Sequence, residues 1–84
     1  MKIEKLDYEA GWQRIFYVAI NENPMPPIRV SCHSPEGTNT VHNPLKLLEA
    51  GVHYFKFYFG LGKYIFIFYE SDVPQLIAII TVRK

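Results

Sequence analysis

The stretch from His53 to Glu70, HYFKFYFGLGKYIFIFYE, constrains the fold more than any other part of the chain. Nine of its eighteen residues are Phe or Tyr, out of thirteen aromatics among all 84 residues. Two runs of seven, His53 to Phe59 and Tyr64 to Glu70, flank Gly60-Leu61-Gly62-Lys63. Aromatic and β-branched side chains suit a pleated surface, and a Gly-containing break between two such runs predicts a β-hairpin or a tight corner between strands.

Because side chains alternate along a strand, the register decides which residues share a face. With Gly60 to Lys63 as a hairpin turn, Phe59 opposes Tyr64, Phe57 opposes Phe66 and Phe55 opposes Phe68. One face then holds Phe55, Phe57, Phe59, Tyr64, Phe66 and Phe68, carries no charge, and is the expected core wall. The other holds Tyr54, Lys56, Tyr58, Ile65, Ile67 and Tyr69. This second face is too apolar for ordinary solvation. Half exposed, it amounts to ~300–600 Å², the size of the largest patch on a typical monomer. Either a neighbouring segment covers it or it is a partner surface, for which tyrosines around one lysine are well suited.

The rest of the chain reads as further strands. Lys2 to Tyr8, with its interspersed charges, is expected to be an edge strand. Ala10-Gly11 begins a turn. Gln13 to Ile20 is a strand apolar on both sides after Arg14, and Trp12 before it is expected to plug the end of the core. Asn21 to Pro27 (NENPMPP) is a proline-rich loop. Ile28 to His33 alternates as a half-buried strand, Ser34 to Asn39 is turn chemistry, and Thr40 to His42 is a short strand. Asn43-Pro44 can start a helix that Gly51 ends, covering Pro44 to Ala50, with a short strand through Lys46 to Leu48 as the rival. Ser71 to Pro74 is a turn, and Gln75 to Val82 is a closing strand. Together these predict one all-β domain over residues 1–84. The expected architecture is a small two-sheet antiparallel sandwich of about seven strands, with at most one short helix near residues 44–50.

Two local patterns carry a resemblance. Leu48-Glu49-Ala50-Gly51-Val52-His53-Tyr54 resembles the Leu-x-Pro-Gly-x-x-Tyr corner of fibronectin type III modules, with Ala50 at the usual proline. Gly62 to Glu70, followed by a turn and a strand ending Thr81-Val82, is similar to the end of many bacterial immunoglobulin-like domains. The resemblance implies an immunoglobulin-like sandwich with a corner tyrosine whose hydroxyl bonds back to the backbone, and Tyr54 and Tyr64 compete for that role. If Tyr64 holds it, the Gly60 to Lys63 link crosses between sheets and the face pairing above changes. The resemblance implies no activity.

The titratable groups suggest no catalytic site. Cys32 and His33 are neighbours on an expected strand and so point to opposite faces, which makes Cys32 a small core residue and not a nucleophile. His33, His42 and His53 lack metal-ligand spacing. Gly60-Leu61-Gly62 precedes a strand and not the helix N-terminus that binds anions. No catalytic residue, metal or cofactor is expected. Nine Lys and Arg against eight Asp and Glu give a net charge of +1 without a basic run, which disfavours a dedicated nucleic-acid binder. One cysteine excludes an internal disulfide framework. No apolar run is long enough to span a bilayer, and Met1 leads straight into charged residues, so cytoplasmic residence or incorporation into a particle is the default. The functional expectation is a non-enzymatic structural or adaptor module that works through protein contacts. It would form a homo-oligomer or join a larger assembly such as a virus or tail particle. A carbohydrate-binding module stacking sugars on Tyr54, Tyr58, Tyr69 or Trp12 is the alternative. A single-stranded nucleic-acid binder using Lys56 and Lys63 stands behind both.

Overall fold

The computed structural model describes residues 1–3, 5–19, 27–43 and 50–83. Among these the chain is all strand and turn. Its strands are β1 (Lys2–Ile3), β2 (Asp7–Glu9), β3 (Gly11–Ala19), β4 (Ile28–Ser34), β5 (Gly37–His42), β6 (Gly51–Phe59), β7 (Gly62–Glu70) and β8 (Val73–Arg83). They form two sheets, a three-stranded one in the order β1-β3-β6 and a five-stranded one in the order β2-β8-β7-β4-β5. The expected two-sheet sandwich is therefore the observed architecture. It is not purely antiparallel, because β2 runs parallel to β8.

The main correction concerns the aromatic stretch. β6 pairs with β3 over nine positions, from Gly11 opposite Phe59 to Ala19 opposite Gly51. β7 instead lies between β8 and β4 in the other sheet. The link at Gly60 and Leu61 is thus a corner between sheets and not a hairpin turn. Tyr64 holds the corner: its hydroxyl accepts the Gly60 N–H at 3.0 Å. Tyr54 lies in mid-β6 on the outer face of the three-stranded sheet, its ring 5.6 Å from Phe16.

The six residues expected to form the core wall still face inward, but from opposite sheets. Phe55, Phe57 and Phe59 meet Tyr64, Phe66 and Phe68 across the sandwich, with ring centroids 5.1 Å apart for Phe57 and Phe66 and 5.0 Å for Phe59 and Tyr64. Tilted and edge-on rings at such distances add to the burial term. Ile15 and Tyr17 from β3, Ile28 and Val30 from β4, and Ile80 from β8 complete this interior and are fully enclosed.

Four smaller expectations also change. Lys2 to Tyr8 is not one edge strand, since β1 joins the three-stranded sheet and β2 the five-stranded one, so the segment crosses the sandwich. Trp12 does not plug the core: it lies on the outer face and is 71% exposed. Alternation through the buried Ile15 and Tyr17 directs even-numbered positions of β3 outward. Tyr8 closes that end of the core instead, stacked on Phe59 at 5.4 Å. The turn expected over Ser34 to Asn39 shrinks to Pro35-Glu36, and β5 begins at Gly37. Ser34 stabilises this turn by donating to the Gly37 carbonyl and accepting the Glu36 N–H. The closing strand starts at Val73, which leaves Ser71-Asp72 as a two-residue hairpin loop, both residues at positive φ. The helix expected over Pro44 to Ala50, its rival strand over Lys46 to Leu48, and the loop from Asn21 to Pro27, apart from Pro27 itself, lie outside the described residues.

Candidate functional site

With β6 and β7 in different sheets, the expected partner face divides in two. Tyr54, Lys56 and Tyr58 lie on the outer face of the three-stranded sheet, and Ile65, Ile67 and Tyr69 on the outer face of the five-stranded sheet. Neither trio points into the core. Tyr54 and Tyr58 are exposed, while Ile65, Ile67 and Tyr69 are half-buried. Lys56 and Lys63 are separated in the same way, one on each sheet.

On the five-stranded sheet, register builds an apolar strip around Ile65 and Ile67. One row runs from Ser31 through Ile67 to Ile77, and the next from His33 through Ile65 to Ile79. Ile77 is 62% exposed and Ile79 50%. The sequence does not single them out, because Gln75 to Val82 is apolar on both faces and shows no preferred side. The strip is bounded at one end by Arg29, whose guanidinium lies 4.0 Å over the Tyr69 ring and 3.4 Å from the Asp72 carboxylate. Lys63 bounds the other end, opposite Thr81. Ser31 is buried on this sheet with its hydroxyl unpartnered. Because β2 meets β8 only at Thr81–Arg83, the rest of β8 has β7 as its single strand neighbour among the described residues.

On the three-stranded sheet, β3 and β6 place Trp12 opposite Tyr58, Arg14 opposite Lys56, Phe16 opposite Tyr54 and Val18 opposite Val52. Trp12 and Tyr58 meet edge-on at 5.5 Å, and Arg14 lies 5.4 Å from the Tyr54 ring centroid. Of the aromatics considered for sugar stacking, Trp12, Tyr54 and Tyr58 share this face and Tyr69 does not. An open depression of about 990 Å³ runs along it, lined by Trp12, Arg14, Phe16, Val52 and Lys56 and reached from one side by Lys5 and Tyr8.

Cys32 is a buried free thiol, pushed up to about 11 by burial. His33 is on the opposite side of β4, its Nδ1 2.8 Å from the Thr38 hydroxyl. The fold brings His42 and His53 to the buried Tyr17, with ring centroids 5.9 and 5.8 Å from it. The Tyr17 hydroxyl and His42 Nε2 share a hydrogen bond of 3.0 Å. Burial, then the nearby His53, lowers the His42 pKa, and burial raises Tyr17 to about 12. Among the described residues no group of three or more His, Cys, Asp or Glu side chains gathers as a metal would require. Comparison of the chain with protein-family models, curated proteins and solved structures returned no match.

Proposed function

We propose that this chain is a non-enzymatic contact module that associates with a second copy of itself, or with a larger assembly, through the outer face of its five-stranded sheet. The observation that carries this reading is the exposure of Ile77 and Ile79 beside Ile65 and Ile67, in two adjacent rows without Asp, Glu, Lys or Arg. An uncharged strip is self-complementary about a two-fold axis, as an isologous dimer needs. Most of β8 has no second strand neighbour among the described residues, and such an edge beside the same isoleucines favours strand pairing with another chain.

We also propose an immunoglobulin-like architecture for this module. Support comes from the corner closed by Tyr64, from β2 running parallel to β8, and from β4, β7 and β8 facing β3 and β6, an arrangement like that of the two sheets of such domains.

Sedimentation equilibrium over a wide concentration range tests the association. The wild-type chain is expected to dimerise or assemble further, and the double substitution Ile77→Lys, Ile79→Lys to leave it monomeric and folded by circular dichroism. A wild-type chain that stays strictly monomeric at several hundred micromolar refutes the reading.

A further inference from the structure

The outer face of the three-stranded sheet is chemically unlike the isoleucine strip. Its rows alternate in kind: the aromatic pair Trp12–Tyr58, the cation pair Arg14–Lys56, then the aromatic pair Phe16–Tyr54. Lys2, opposite Val18 on the far side of β3, extends the positive charge, and Lys5 reaches the same depression. No carboxylate among the described residues lines that depression. The described acids are elsewhere, with Asp7 and Glu9 on β2, Glu36 in the β4–β5 turn, and Glu70 and Asp72 at the β7–β8 hairpin. Among the described residues the sheet face itself is cationic, while Asp7 and Glu9 share the neighbouring depression with Lys5.

An isologous contact centred on this face would bring the Arg14–Lys56 row of one copy toward the same cations of the other. The face suits an anionic ligand, and its exposed rings decide which kind. Trp12 and Tyr58 are the most exposed aromatics on the face, and Phe16 and Tyr54 are about half exposed. Along β3, Trp12 and Phe16 are four residues apart, so at ~3.4 Å per residue the two aromatic pairs are about 13–14 Å apart. An extended sugar–phosphate chain covers that distance in about two nucleotide steps, which brings every second base to a platform and the phosphates between them to the Arg14–Lys56 row. Bases stack on aromatic rings whatever their sequence, while cations follow the backbone. A polypeptide of acidic residues alone would neutralise the cations but has no flat group for either platform. We propose that the outer face of the three-stranded sheet binds single-stranded nucleic acid without sequence preference. This is independent of the self-association reading, which rests on the opposite sheet.

Fluorescence anisotropy of a labelled fifteen-residue oligothymidylate, titrated with the full chain, tests the proposal. Binding is expected at low salt. With three or four cations engaged, the log–log salt slope is expected at about −2 to −3. Trp12→Ala is expected to weaken binding roughly 10-fold, and Lys56→Gln to flatten the slope by about 0.7. The Ile77→Lys, Ile79→Lys variant, altered on the other sheet, is expected to retain these aromatic and salt effects. Absence of binding at low salt overturns the proposal. So does affinity unchanged by Trp12→Ala, equal affinity for a duplex of the same length, or a polyglutamate peptide that binds where the oligothymidylate does not.

Discussion

The corner between β6 and β7 rests on one hydrogen bond, from the Gly60 N–H to the Tyr64 hydroxyl at 3.0 Å. Tyr64→Phe removes the acceptor and keeps the ring, which packs 5.8 Å from Phe57 and 5.0 Å from Phe59. A neutral hydrogen bond contributes ~0.5–1.5 kcal/mol net, and the Gly60 N–H is near enough to solvent to be rehydrated, so a loss of about 0.5–1 kcal/mol is expected. In a domain of this size that lowers the melting midpoint by about 2–8 °C. Urea unfolding should show a lower midpoint at unchanged slope. Tyr54→Phe removes a hydroxyl with no hydrogen-bond partner among the described residues, so it is expected to stay within about 0.5 kcal/mol of wild type. A second perturbation probes the same atom. A Cβ added at Gly60 would sit 3.3 Å from the Tyr64 hydroxyl oxygen. In the Tyr64→Phe background that contact disappears, and Gly60→Ala should stabilise by ~0.4–1 kcal/mol through the unfolded chain. With Tyr64 present, the crowding offsets this gain. The double-mutant cycle should therefore show coupling. Additivity within about 0.3–0.5 kcal/mol, together with equal effects of Tyr64→Phe and Tyr54→Phe, would refute the corner argument.

Other consequences follow from the turn and from the buried Tyr17 cluster. Ser71 and Asp72 both hold positive φ in a two-residue hairpin loop, so Ser71→Asn with Asp72→Gly should raise stability by ~0.5–2 kcal/mol in chemical denaturation. The Arg29–Asp72 ion pair lost in that exchange is largely exposed and contributes little. Lowering of the His42 pKa means that the fold favours the neutral ring. Full stability is then held above the unfolded histidine value of 6.5 and lost as pH falls through it toward the lowered folded value. Raising Tyr17 to about 12 has the opposite sense: stability is held below 10.0 and lost as pH rises from there toward about 12. Melting midpoints across pH should fall at both ends, and His42→Gln should flatten the acid limb.

Much of the core was legible because alternation is local. The inward set of Phe55, Phe57, Phe59, Tyr64, Phe66 and Phe68 follows from period two within each run, whichever sheet the run joins. The strand order was not legible. Nothing between Phe59 and Tyr64 distinguishes a hairpin from a corner, since glycines serve both. Trp12 was misplaced because it was set outside the strand; counted from Ile15, its parity already points outward. The isoleucine strip was hidden because Gln75 to Val82 is apolar on both faces, and only the pairing of β8 with β7 selects one. The cationic aromatic ladder needed β3 aligned with β6, residues some forty positions apart.

By itself, then, the sequence determined the all-β class, most of the strand runs and the buried side of those strands that alternate clearly, because these depend on propensity and on a two-residue period. The tertiary structure alone decided which strands are neighbours. That choice turned a supposed single partner face into two opposed faces of different chemistry, one uncharged at its centre and one cationic. Pairing depends on long-range fit across the core, in which Tyr64 caps the corner and nine positions of β6 find β3, and no local pattern encodes it.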